Sequence, residues 1–184
     1  SVLKQLDLPV PSRETTPQIL QPLNLNRTFE PSVELQAYRQ LYGFHLLDCE
    51  HWQGYVQMPL FKLHVQVFKP RTAKINGTVC LLHGYLEHSG IYQPIIKELL
   101  EQGFSVLIYD LPGHGLTDGS SANIQNFDHY QQVLHAVYQY VRQADQLPKP
   151  WLGIGQSTGA AIWMHHLLAY AARRENPIVD RVLL

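Results

Sequence analysis

Residues 151–160 read WLGIGQSTGA. The first five form a continuous apolar run of the kind found in a strand covered on both faces. The residues that follow, Ser157–Ala172, place Ala160, Ala161, Met164, Leu167, Leu168 and Ala171 at helical spacing. A strand that passes straight into a helix is half of a parallel crossover, and the flanking sequence repeats the unit. Upstream, TVCLLHG (78–84) is a second buried run, with a helix expected from about Ile91 to Gln102 and closed by Gly103. FSVLIYD (104–110) is a third run, followed by a Gly/Ser/Asp-rich loop and a helix over Phe127–Arg142 that LPKP ends. IVDRVLL (178–184) begins another strand. This alternation predicts an α/β fold, an open and mostly parallel sheet with helices on both faces.

The chain before residue 77 is organised differently. Two strands joined by a hairpin with Pro59 at its turn are expected from Gly54 onward. Phe61, Leu63, Val65 and Val67 lie on one face of the second, and Lys62, His64, Gln66 and Phe68 on the other. Residues 1–31 hold prolines at 9, 11, 17, 22 and 31, which predicts an extended lead-in without a helix of useful length. Ser32–Tyr42 predicts a short helix stopped by Gly43. The expected division is a lead-in with its helix over 1–50 and the sheet domain over 51–184.

Composition narrows the partners. With 184 residues, 45% hydrophobic and 16% charged, the chain has enough apolar material for a core. Its net charge of -1 gives no basis for binding nucleic acid or an anionic membrane surface. No apolar run approaches the roughly 18 residues of a membrane span, and the first thirty residues do not read as a leader, so a cytoplasmic protein is expected. Cys49 and Cys80 are too few for a disulfide scaffold; Cys80 reads as a buried free thiol. His165 and His166 are adjacent on a helix and face about 100° apart, which rules out shared metal ligation. No metal or organic cofactor is implied. Asp110, Asp118 and Asp180 read as carboxylates that cap or hydrogen-bond locally.

Gly155-Gln156-Ser157-Thr158-Gly159 is a G-x-S-x-G pattern, weak alone and informative at a strand-to-helix junction. There it makes a nucleophile elbow: a sharp turn strains the serine backbone, and side chains at 155 and 159 would collide. Ser157 is the candidate nucleophile, and the Thr158 amide one oxyanion donor. The second donor belongs on a loop after a neighbouring strand, which points to the Tyr85 amide in His83-Gly84-Tyr85, with Gly84 allowing close approach to a substrate. The alternatives are a Gly-rich turn with a capping serine and an ordinary tight turn.

LLHGYLEHSGIYQPIIKELLEQGFSVLIYDLPGHGLTDG (81–119) together with GIGQSTGA (153–160) resembles the monoacylglycerol lipase and lysophospholipase branch of the α/β-hydrolase superfamily, a serine aminopeptidase-like group. The matching positions are Glu87 and His88, then Asp110, Gly113, His114 and Gly115. Thr117, Gln156 and Thr158 depart from the usual serine, histidine, and methionine or leucine. The resemblance covers about residues 50–184 and implies a serine hydrolase cleaving acyl esters such as monoacylglycerols or lysophospholipids. It makes His83 and His114 structural. An acyltransferase, a peptidase, or a non-catalytic binding protein keeping part of the fold are the alternatives. The superfamily order is Ser, then Asp or Glu, then His, each after a later strand, and only 27 residues follow Ser157. The triad acid and base are therefore expected to be absent from this chain, about 100 residues being missing at roughly 30 per βα unit. A sheet ending there would be aggregation-prone or dimeric.

Overall fold

A computed structural model describes residues 19–184. The expected lead-in falls partly on residues 1–18, outside that range. Its described part runs irregularly along the outer edge of the first strand: the Leu23 amide donates to the Tyr55 carbonyl and the Tyr55 amide to the Gln21 carbonyl, both at 2.9 Å.

Helix α1 (Val33–Leu41) starts where Ser32 caps it, the hydroxyl accepting from the Leu35 amide, and stops at Gly43 in the left-handed region at φ 75°. Strand β1 (Cys49–Gln57) begins five residues earlier than the sequence predicts. It pairs antiparallel with β2 (Lys62–Pro70), and the connection contains Pro59 as expected. Then come β3 (Gly77–Leu82), α2 (Gln93–Glu101), β4 (Phe104–Tyr109), α3 (Asp128–Gln143), β5 (Trp151–Gly155), α4 (Thr158–Arg173) and β6 (Arg181–Leu183). The start of α2 differs from the expectation because Ser89–Tyr92 forms a 3-10 turn capped by His88, and Pro94 fits only the first turn of the helix that follows.

The sheet order is β1-β2-β4-β3-β5-β6. β2 joins β4 antiparallel, whereas β4, β3, β5 and β6 run parallel. The predicted α/β class holds, with two antiparallel strands on one side. Period-two alternation sends the strands' side chains into two cores. Leu63, Val65, Val67, Cys80, Leu82, Leu107 and Tyr109 pack with Val133, Leu134 and Val137 of α3 and Ile162 and Trp163 of α4. Phe68, Val79, Leu81, Val106 and Ile108 pack with Tyr38 of α1 and Ile96 and Leu100 of α2. Each such aliphatic side chain fully withdrawn from water contributes about 1.5–3 kcal/mol. Both faces of β2 are covered, so His64 and Gln66 are fully buried although they are polar. Cys49 and Cys80 are both free and buried, and burial pushes their thiols up to about 11 and about 12.

Candidate active site

Strand order brings three loops together at the carboxyl ends of β4, β3 and β5. Leu82 pairs with Gly155, so the residues after each strand emerge side by side: His83-Gly84-Tyr85 from β3 and Gln156-Ser157 from β5. The Gln156 amide donates to the Leu82 carbonyl at 3.2 Å and holds them level.

Ser157 sits between β5 and α4 at φ 52°, ψ −112°, a sparsely populated region that costs a non-glycine residue about 1–3 kcal/mol. Two glycines make the turn possible. A Cβ on Gly155 would come within 2.5 Å of the Gly159 carbonyl, and one on Gly159 within 2.3 Å of the Leu82 oxygen. The crowding expected at 155 and 159 takes this form: position 155 is closed by the backbone of 159, and 159 by the neighbouring strand β3. A Cβ on Gly84 would lie 3.3 Å from the Ser157 Cβ, which sets the turn carrying Tyr85 against the serine. Ser157 is exposed. Its hydroxyl, and the amides of Tyr85 and Thr158, have no hydrogen-bond partner among the described residues.

Glu87, Tyr92 and Gln156 tie the two loops together. The Gly84 amide donates to Glu87 Oε2 at 2.8 Å and to the Tyr92 hydroxyl at 3.2 Å. Tyr92 donates in turn to Glu87 and lies 3.1 Å from the Gln156 side-chain amide. Burial and the Glu87 carboxylate raise the Tyr92 hydroxyl, which keeps it a donor.

None of the ten histidines hydrogen-bonds Ser157. His83 Nδ1 donates to the Gly84 carbonyl at 2.8 Å and Nε2 accepts from the Leu111 amide at 2.9 Å, so both nitrogens are committed in the neutral form. Burial lowers its pKa. His114 Nδ1 donates to the Pro112 carbonyl, and its Nε2 is buried without a partner among the described residues. His88 Nδ1 accepts from the Gly90 amide. His166 is buried and accepts from the Ile178 amide, whereas His165 is half exposed, the divergence expected of adjacent helical positions. No group of three or more metal-ligating side chains occurs among the described residues.

The largest feature absent from the sequence reading is a buried His–Asp pair. Asp110, at the end of β4, accepts from His64 Nδ1 at 2.7 Å, from the Ser89 amide at 2.7 Å and from the Leu116 amide at 2.8 Å. The local role expected of Asp110 is therefore incomplete: it joins β2 to the loops after β3 and β4. Burial by itself raises the carboxyl, but the adjacent imidazole and the Leu116 amide outweigh it and hold the group well below its usual range. Arg39 decides the tautomer. Its Nε donates to Gln53 Oε1, which turns the Gln53 amide nitrogen toward His64 Nε2 at 3.0 Å. His64 Nε2 then accepts from that amide, and Nδ1–H faces Asp110. Sealed in this way, the pair cannot serve Ser157. Asp118 and Asp180 likewise reach across the fold, accepting from the Lys62 and Trp151 amides.

A family model described as serine aminopeptidase S33 matches residues 73–179, more than half of the chain. The chain is similar to caffeoylshikimate esterase of Arabidopsis thaliana, 30% identical over 112 residues, 60% of this chain and 34% of that protein. It is also similar to a monoacylglycerol lipase of Mycolicibacterium smegmatis, 28% identical over 98 residues, 53% of this chain and 33% of that one. The chain thus spans about a third of the length of these relatives. Among solved structures, Est1E from Butyrivibrio proteoclasticus with bound ferulic acid has the same fold at a TM-score of 0.57 and 24% identity, covering 70% of this chain and 50% of that chain. No helix among the described residues is long and apolar enough to cross a membrane.

Proposed function

We propose, starting from a chain that belongs to the serine aminopeptidase S33 family of α/β-hydrolases, that Ser157 is the nucleophile of an enzyme cleaving small carboxylic esters through an acyl-enzyme. The observation that carries this reading is the strained, exposed serine at φ 52° between β5 and α4, with Gly84 packed beside it. Ser157 Oγ attacks the ester carbonyl, and the Tyr85 and Thr158 amides hold the oxyanion that forms. A histidine takes the serine proton and returns it to the leaving alkoxide, and an acid orients that histidine. No histidine among the described residues hydrogen-bonds the serine, and the proposal assigns neither the base nor the acid to a residue of this chain. Monoacylglycerols or lysophospholipids are the proposed substrates, supported by similarity to a monoacylglycerol lipase and to the phospholipase YtpA of Bacillus subtilis.

The test joins labelling to turnover in the gene-length protein. A fluorophosphonate should modify Ser157, and Ser157→Ala should lower p-nitrophenyl ester hydrolysis by at least ~10³-fold. Labelling at another residue, or turnover that survives Ser157→Ala, overturns the reading. A second reading, a binding protein that keeps the fold without catalysis, is favoured by Ser157 Oγ having no hydrogen-bond partner among the described residues; a protein that resists labelling would select it.

A further inference from the structure

A cavity of about 780 Å³ lies at the opposite end of the sheet from Ser157. It opens against the first residues of β1, where Cys49 pairs with Pro70. The other end of that hairpin, Gln57 opposite Lys62, is the one near Asp110, because β2 runs antiparallel to β4. At ~3.4 Å per residue the cavity is roughly 20 Å from the loops around the serine.

Arg27, Arg39 and Arg71 line it, with Glu50 as the one acid among the described lining residues. Arg71 has an exposed and distant partner, Asp48 at 3.8 Å. Arg39 is the unusual member. Its guanidinium is half-buried, donates through Nε to Gln53 Oε1 at 3.2 Å and through Nη2 to the His51 carbonyl at 2.9 Å, and stacks on Phe29 at 4.8 Å. Both acceptors are neutral, and no carboxylate lies within 4 Å of it among the described residues. Three of its five N–H groups remain, in a fork that matches two oxygens of one oxyanion. Burial lowers its pKa to about 10. The carboxylate at the end of its hydrogen-bond chain, Asp110, is two side chains away, beyond Gln53 and His64.

We propose that this cavity binds an organic oxyanion, a carboxylate or phosphate on an apolar body, with the head group on Arg39 and the body against Phe29 and Leu47. Arg27 and Arg71 supply a field of the same sign around the head group, on a chain whose net charge is only -1. The apolar side chains beside the guanidinium exclude water from the contact and add affinity that a bare ion cannot gain. Binding there and chemistry at Ser157 hold or fail separately.

The chain is titrated with octanoate, with inorganic phosphate and with neutral octanamide, affinities coming from calorimetry and location from the Arg39 Nε–H resonance. Saturable binding of octanoate at about 1 mM or tighter, with a shift of that resonance and none from octanamide, is the expected result. Phosphate binding more tightly than octanoate would support the site and assign the head group to phosphate. Arg39→Gln should weaken octanoate at least ~10-fold. Because Arg39 also ties α1 to β1, Arg71→Gln is the second variant; its side chain is mostly exposed, and it should weaken binding ~2–3-fold while leaving the fold intact. No saturation by either anion up to ~10 mM, octanamide binding as well as octanoate, or affinity unchanged in both variants each overturns the site.

Discussion

Replacing Asp110 with asparagine removes one acceptor from a buried position that has three donors. The Ser89 amide points at Oδ1, and His64 Nδ1–H and the Leu116 amide point at Oδ2. An asparagine offers one oxygen. Turned toward His64 and Leu116 it keeps two bonds and sets its own NH₂ against the Ser89 N–H; turned the other way it strands two donors. The better orientation leaves one buried N–H unpaired, costing about 1–3 kcal/mol. It also turns two charge-assisted bonds into neutral ones, about 1 kcal/mol each. The expected loss is about 3–5 kcal/mol, a large part of the roughly 5–15 kcal/mol that holds a domain folded. Urea unfolding should show a lower midpoint at unchanged slope. A linked pH effect follows, because the carboxyl lies below its ordinary 3.8 in the folded chain. Its contribution is complete above that pH and is lost as pH falls below it, and the variant should lack that part of the acid limb. A variant within about 1 kcal/mol of the parent would refute the three-donor account.

Gly159→Ala places a methyl group 2.3 Å from the Leu82 carbonyl oxygen, a backbone atom that no rotamer change can move. A destabilisation of about 2–3 kcal/mol is expected in thermal melts, and an unchanged melt would mean that α4 does not approach β3 so closely. His166 is buried, and burial, with help from His135 and Arg173, lowers its pKa to about 4. The unfolded chain then binds the extra proton, so stability present above pH about 6.5 is lost as pH falls toward 4. His166→Gln keeps an acceptor for the Ile178 amide and cannot titrate. Its melting temperature should fall by about 5 °C less across that window than the parent's, and parallel curves would exclude His166 as a source.

These perturbations sort by the distance over which their causes act, and so does what can be read from the amino acids alone. The elbow is local. A five-residue apolar strand, two glycines and a helical repeat occupy the consecutive positions 151–173, and the backbone of Ser157 follows from their sterics. The apolar runs of β3, β4 and β5 are equally self-contained, because a strand covered on both faces needs no alternation to reveal it. β1 shows the opposite case. Its opening residues, Cys49 to Gln53, precede the strand start expected at Gly54, yet Gln53 is 1% exposed because Arg39, fourteen positions earlier, and His64, eleven later, complete its hydrogen bonds. No local period encodes such a pairing. For His64 and Asp110, forty-six positions apart, a trace was available: two polar residues at 64 and 66 share a face with Phe68, in a strand that pairs with β1 on one side and β4 on the other. Alternation identifies two faces but not whether both are covered, and coverage of the second face makes His64 and Gln66 part of the interior. Gln156 follows the same logic at the candidate site. As a departure from histidine it looks like a change in the pocket wall, but its partner is Tyr92, sixty-four positions earlier, which also bonds Glu87 and receives the Gly84 amide. The side chain before the serine therefore belongs to the tie between the two loops, and its identity bears on how firmly the Tyr85 turn is held beside Ser157 as well as on what fits above it.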